Sequence, residues 1–304
     1  MKLLAVCGAT ATGKSELAVA CAKLLNGEIV SADSLLVYRG LNVGTAKPTL
    51  LERGGVPHHL IDVVEPTESF SVSDYERLAL QAVEEIAARG KTPILCGGTG
   101  FYLKSVLFRS SFGKTPADPA IRKKYEELLV REGKEALFAR LREIDPESAE
   151  KLHVNDTKRV IRAIEIYEAT GRKKSEQNDG ETPRFPYLAV GFDFPREELY
   201  ARIDRRAERM LERGLVSEVK GLLRAGVPET AQCMQGIGYK EVLENLKNGF
   251  NESTLRDIIQ KNTRNYAKRQ LTFFKKMNIR WIAPKPISEA AREVKELYDG
   301  GRID

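Results

Sequence analysis

The chain has 304 residues, 42% of them hydrophobic and 30% charged, with a formal net charge of +6. No apolar run approaches the roughly 18 residues of a membrane span, which sets the membrane-spanning classes aside and leaves no membrane partner expected. Cys7, Cys21, Cys96 and Cys233 are scattered without CxxC spacing and three histidines are too few for an obvious zinc site, so buried thiols of a reducing cytoplasmic protein are expected.

The first element is the apolar run KLLAVC (2–7), too short for a signal peptide and running straight into GATATGKS (8–15). A strand is expected there, followed by a helix over GKSELAVACAKLLNG (13–27). EIVSAD (28–33), HLIDVV (59–64) and TPILCGG (92–98) read as further strands, with a helix over SVSDYERLALQAVEEIAARG (71–90). This rhythm then stops. DPAIRKKYEELLVREG, KEALFARLREI and DTKRVIRAIEIYEATG are charged amphipathic helical segments with no strand between them, bounded by GKTPADP and GRKKSEQNDGETP. The sheet resumes with YLAVGFDF (187–194) and IRWIA (279–283). The expected fold is α/β, a mostly parallel sheet with helices on both faces, carrying a helical insertion. The expected domains are a core of 1–113 and 182–304 and an insertion of 114–181.

Between the last two strands, IIQKNTRNYAKRQLTFFKKM (258–277) is the most informative helix. Ile259, Tyr266, Phe273 and Met277 fall on one face, and Lys261, Arg264, Lys268 and Lys275 on the opposite one. From Ile258 to Ser288 there are 8 basic residues and no acidic one. Like charges at that spacing repel unless something anionic lies beside them, so a polyanionic partner competes with an ordinary solvated face.

GATATGKS satisfies G-x-x-x-x-G-K-[ST], with a strand before it and a helix after it. Its glycines let backbone N–H groups turn inward on phosphate oxygens, Lys14 adds a point charge, and the Ser15 hydroxyl can ligate Mg²⁺. Asp33 falls at the C-terminal end of the second strand, where ligand sites of open α/β sheets form. It can be a Mg²⁺-ligating acid, a general base or a turn cap. The glycines after TPILC are expected to allow close ligand approach, and Thr99 offers a hydroxyl at the same edge. No acid stands in that strand where a triphosphatase would hold its Mg²⁺ and water, which weakens an ATPase assignment.

The segments GATATGKS, SADSLLVYRGLNVGTAKPT, VPHHLIDVVEP, GGTGFYLKSVL, NDTKRVIRAIEIYEATG, RIDRRAERM and RNYAKRQLTFF occur in this order. Together they resemble the tRNA dimethylallyltransferase (tRNA isopentenyltransferase) family of P-loop NTPase-like enzymes, from Leu4 to about Trp281. The resemblance implies transfer of the dimethylallyl group of dimethylallyl diphosphate to N6 of the position-37 adenosine, immediately 3′ of the tRNA anticodon; separately, a monomer is expected. It implies that Gly8, Ala9, Thr10, Ala11, Thr12, Gly13, Lys14 and Ser15, with Arg202 and Arg206, hold the diphosphate, with Mg²⁺ at Ser15. Asp33 is then the base toward the adenine amine, and Thr99 orients the diphosphate or the amine. Asp33, Ser34, Leu35, Leu36 and Thr99 and the stretch Lys158, Arg159, Val160, Ile161 and Arg162 are the implied contacts to the anticodon stem-loop, and the basic residues Arg122, Lys123, Lys124, Lys261, Arg264 and Lys268 are expected to add to them from their charge. Many members carry glutamine where Leu36 and Lys158 stand, which puts loop-sequence preference in question rather than the reaction.

Three rivals share parts of this pattern. A P-loop small-molecule kinase would use the loop and Asp33 but not the basic helix. An adenylate isopentenyltransferase would keep the loop, Asp33 and both arginines while needing no basic stripe. A non-enzymatic RNA-binding module would need neither loop nor carboxylate.

Overall fold

The computed structural model describes residues 1–109, 118–176 and 182–300. In chain order its elements begin with β1 (Leu3–Cys7), α1 (Lys14–Leu24), β2 (Gly27–Ser31), α2 (Leu50–Arg53), β3 (His58–His59), α3 (Val72–Ala88), β4 (Thr92–Gly97) and α4 (Gly100–Leu107). Three helices follow, α5 (Pro119–Ile144), α6 (Pro146–Lys151) and α7 (Thr157–Thr170). The chain then forms β5 (Tyr187–Phe192), α8 (Arg196–Glu212), α9 (Leu215–Arg224), α10 (Tyr239–Lys247), α11 (Glu252–Phe274), β6 (Arg280–Ile282) and α12 (Ile287–Asp299).

The chain divides into two compact units, Met1–Leu107 with Pro183–Asp304, and Phe108–Thr182. The boundaries expected at 113, 114 and 181 lie outside the described residues. In the first unit the six strands form one sheet in the order β3-β2-β4-β1-β5-β6, with every paired neighbour parallel. Buried residues of α1 (Leu17, Ala18, Cys21) and α12 (Ala290, Ala291, Val294) cover one face over Leu4, Val6, Ile29 and Ile94. On the other side α3 packs on β2 and β4, and α4 on β4. Strands covered on both faces read as continuous apolar runs, which is why LLAVC is buried along its whole length.

HLIDVV is shorter as a strand than expected: only His58 and His59 pair with β2. Leu60 (φ 61°) and Asp62 (φ 58°) take left-handed backbone, which ends the extended run despite its β-branched residues. An ion pair of Asp62 with Lys47 and the Tyr38–Val64 bridge hold this turn.

The second unit is helical. Tyr125, Leu137, Leu141, Val160, Ala163 and Ile164 form its core. Gly133, with φ 85°, interrupts α5 between the two expected helical segments. Asp145 caps α6, accepting from Ser148 N at 3.1 Å and from the Ser175 hydroxyl at 2.7 Å.

Candidate active site

Because the sheet is parallel, the C-terminal ends of β1, β2 and β4 open on one edge. Val6 pairs with Cys96 and Ser31 with Cys96 across this row. Gly8, Asp33 and Thr99 therefore leave the sheet side by side. The approach is close: a Cβ at Gly97 would stand 2.1 Å from the Ala32 carbonyl oxygen, and Thr99 N donates to that oxygen at 3.1 Å.

The phosphate loop is wound tightly on itself. Gly8 (φ 137°) and Gly13 (φ 84°) use backbone open to glycine, and Ala11 takes the left-handed region at φ 64°. An L-residue held there costs about 1 kcal/mol or more, and such strain collects at functional loops. Ala9 O accepts from the Thr12 hydroxyl at 2.9 Å and from Lys14 Nζ at 3.2 Å, so the ammonium lies over the loop.

Helix α8 brings both arginines to this loop. Arg202 Nε donates to Ala11 O at 2.8 Å, and its guanidinium lies 4.6 Å over the Phe194 ring. Arg206 donates to Thr45 O at 3.1 Å and lines a cavity of about 300 Å³ with Thr10, Asp33, Leu35 and Tyr266. The loop carrying Thr45 is itself anchored, since Glu218 accepts the N–H groups of Asn42, Val43 and Gly44 at 2.7–3.0 Å. An alternative in which the two arginines only pair with Asp204 and Glu208 along α8 does not describe this arrangement. Asp204 is bound instead to Arg264 on α11, at 2.6 Å.

Asp33 has one oxygen committed and one available. Its Oδ1 accepts from Leu35 N at 2.9 Å and from Leu36 N at a longer 3.4 Å, which fixes the carboxylate as the head of a turn. No hydrogen bond to Oδ2 is formed within the described residues. Thr99 stands behind this lining, its hydroxyl accepting from Ser34 N at 3.1 Å. Leu35 and Leu36 are half-buried, and Leu35 packs against Gly236 at the cavity wall.

The electrostatics suit a strong anion. Burial pushes the Lys14 ammonium down from its usual value; Arg206 acts the same way and Asp33 opposes it. Burial also lowers Arg206, with Asp33 pulling it back up. Two desolvated cations against one carboxylate leave a positive site, and an anion placed there would restore both toward their usual values.

Several expected contacts are used elsewhere. The N–H of Thr10 is taken by the Gln270 side chain at 2.9 Å, so this loop amide is bonded within the protein rather than free for phosphate. The glycines after β4 are filled by protein and not by ligand space: a Cβ at Gly98 would meet Gln270 at 2.3 Å, and one at Gly100 would meet Phe273 at 2.3 Å. In the helical unit Val160 is fully buried and Ile161 is 7% exposed, so both side chains are part of the core. Arg122 and Arg162 both bind the buried Glu165, at 2.9 and 2.6 Å. Lys123 and Lys124 face Glu127 and Glu168. Lys158 and Arg159 are exposed, the latter beside Asp156. On α11, Arg264 is half-buried against Asp204, whereas Lys261 and Lys268 are exposed. The acid missing from residues 258–277 is thus supplied to Arg264 by Asp204 of α8.

Tyr266, Gln270 and Arg269 are site residues that motif reading passed over. Tyr266 and Arg269 line the cavity, and Gln270 ties the loop to β4. One signal was present: an amide at position 270 lies one turn beyond Tyr266 on the apolar side of α11.

For Mg²⁺ the nearby oxygen donors are the Ser15 hydroxyl, which meets the buried Cys96 thiol, and the Asp33 carboxylate. Among the described residues no group of three His, Cys, Asp or Glu could hold a metal by itself. That sparse set fits a small hard ion that keeps its waters and takes most of its ligands from substrate phosphates. Among the described residues no helix is long and apolar enough to cross a membrane.

A family model described as IPP transferase matches residues 36–277. A curated relative from Acetivibrio thermocellus, a tRNA dimethylallyltransferase, is 43% identical over 299 residues, covering 97% of this chain and 96% of the relative. The crystal structure of the full-length tRNA isopentenylpyrophosphate transferase from Bacillus halodurans aligns with TM-score 0.74 and 40% identity, over 98% of this chain and 96% of that one. A eukaryotic dimethylallyltransferase captured acting on tRNA aligns with TM-score 0.84 and 30% identity, over 100% of this chain and 81% of that one.

Proposed function

The chain belongs to the IPP transferase family, and from that premise we propose how its site works. Its activity is dimethylallyl transfer to tRNA. The donor is dimethylallyl diphosphate, bound with its diphosphate at Gly8–Ser15 beneath Arg202 and Arg206. The acceptor is N6 of the adenosine immediately 3′ of the anticodon, placed in the cavity beside Asp33.

The observation that carries this reading is the convergence of three strand ends and α8 on one site, with a half-committed carboxylate facing two half-buried cations. As the donor's C1–O bond breaks, electrons leave with the diphosphate and allylic carbon becomes positive. Loop amides, Lys14 and the two guanidiniums stabilise that developing negative charge. N6 forms the new bond to C1 and gives up one proton, which Asp33 Oδ2 accepts. An aromatic amine is a poor nucleophile, so an oriented carboxylate is worth roughly 10²–10⁴ in rate. When bound at Ser15, Mg²⁺ supplies further charge stabilisation to the leaving diphosphate. No water is activated, which agrees with the missing acid in β4.

The adenine must leave its stack to enter the cavity, at a cost of about a few kcal/mol. Contacts of Leu35 and Leu36 with neighbouring bases, and of Lys158, Lys261 and Lys268 with phosphates, would offset it. A monomer acting in the cytoplasm completes the proposal. Nuclease digestion and mass mapping of tRNA incubated with the protein and dimethylallyl diphosphate tests it. Modification at the adenosine 3′ of the anticodon is expected; modification at another base would overturn the acceptor assignment.

A further inference from the structure

Gln270 is the polar side chain the chemistry above leaves unexplained. It lies on the buried side of α11 and is 6% exposed. Both ends of its amide are engaged: Oε1 accepts from Thr10 N at 2.9 Å, and Nε2 donates to Gly98 O at 2.8 Å. One partner belongs to the phosphate loop and the other to the end of β4, immediately before Thr99. The space for the amide exists because residue 98 has no Cβ.

A glutamine buried only for packing would be a poor choice, since an apolar side chain of that size avoids desolvating an amide. Here neither hydrogen bond lies within one regular element. They join the two loops that hold opposite sides of the site. Tyr266, one turn earlier, lies against both Thr99 and Gln270, and burial pushes its hydroxyl up to about 12, so it stays protonated as a donor.

We propose that Gln270 is a positioning residue, setting the phosphate loop against the end of β4 so that the loop cations and Thr99 keep one spacing around the diphosphate. Bonding the Thr10 amide also removes one loop donor, which shapes the remaining amides for the donor's diphosphate. This rests on the loop holding diphosphate, as read above.

The test uses the full chain with Gln270→Met, which keeps length and loses both hydrogen bonds, and Gln270→Glu, which keeps only the acceptor toward Thr10. Removing two buried hydrogen bonds gives a change of about tenfold. Gln270→Met should raise the KM for dimethylallyl diphosphate and weaken inhibition by inorganic diphosphate by that factor, with the KM for tRNA moving less than about twofold. Hydrogen exchange of residues 8–13 should quicken by a similar factor, and Gln270→Glu, whose second oxygen faces the Gly98 carbonyl, should shift each at least as far. Equal rises in both KM values, or unchanged KM and unchanged exchange, would refute the positioning role. Should Gln270→Met fail to fold, Gln270→Glu carries the same comparison against wild type, with the shift again confined to the donor. Lys14→Ala is run in parallel. Unaltered diphosphate inhibition in Lys14→Ala would refute the loop assignment itself, and unaltered inhibition in the Gln270 variants alone would refute only the present proposal.

Discussion

Replacing Asp33 by asparagine separates its two roles. The side-chain oxygen of asparagine can still accept from Leu35 N, the shorter of the two bonds that fix the turn. The other atom becomes an amide nitrogen that presents protons toward the acceptor amine instead of taking one. The missing step is therefore proton removal, worth about 10²–10⁴ in turnover, or roughly 3–5 kcal/mol of barrier. Single-turnover transfer from labelled dimethylallyl diphosphate measures the rate, and filter binding measures tRNA affinity, expected within about twofold of wild type. Asp33→Ala should lose the same turnover and further loosen the Leu35–Leu36 turn. An Asp33→Asn rate within about threefold of wild type would refute the base assignment; loss of tRNA affinity with rate intact at saturation would make Asp33 a binding residue.

Arg206→Met should cut turnover by roughly 10²–10³, the usual worth of one aligned charge-stabilising donor, while leaving tRNA binding unchanged in the same two assays. Lys261→Gln with Lys268→Gln should flatten the salt dependence of tRNA binding by about 0.7–0.9 for each phosphate no longer neutralised; Arg264→Gln, already paired with Asp204, should instead lower the melting temperature. Glu165→Ala removes the acid shared by Arg122 and Arg162 and should destabilise the chain by about 2–3 kcal/mol in denaturant melts, less than a fully buried pair because both arginines reach solvent. Burial pushes the Glu28 carboxyl up, but hydrogen bonds from Lys91, His59 and Arg89 outweigh it and hold it at about 2. A depressed carboxyl stabilises the fold above its unfolded value near 4.5 and loses that contribution as pH falls toward 2, so Glu28→Gln should show a shallower acid loss than wild type over that window.

The parts legible from sequence are those encoded by neighbours in the chain. GATATGKS between a strand and a helix, Asp33 at a strand end and the i,i+4 arginines of RIDRR each carry a local signal, and the fold brings all of them to one edge. The parts not legible are those that a distant partner or the backbone decides. Arg122, Arg162 and Arg264 look free in sequence, and each meets an acid on another helix or one turn away on its own. Gly98 and Gly100 signal close approach, but what approaches is α11. Gln270 bridges residues 260 and 172 positions away, a relation no periodicity encodes. In HLIDVV, β propensity predicted a strand that left-handed backbone at Leu60 and Asp62 cuts short.

The most direct measurement is one incubation of the purified protein with Mg²⁺ and labelled dimethylallyl diphosphate, divided between unmodified tRNA and free AMP, beside an ATP-consumption control. Label in tRNA alone, with ATP untouched, is the expected result. Label in AMP, or ATP consumed with no label transferred to tRNA, would contradict the account.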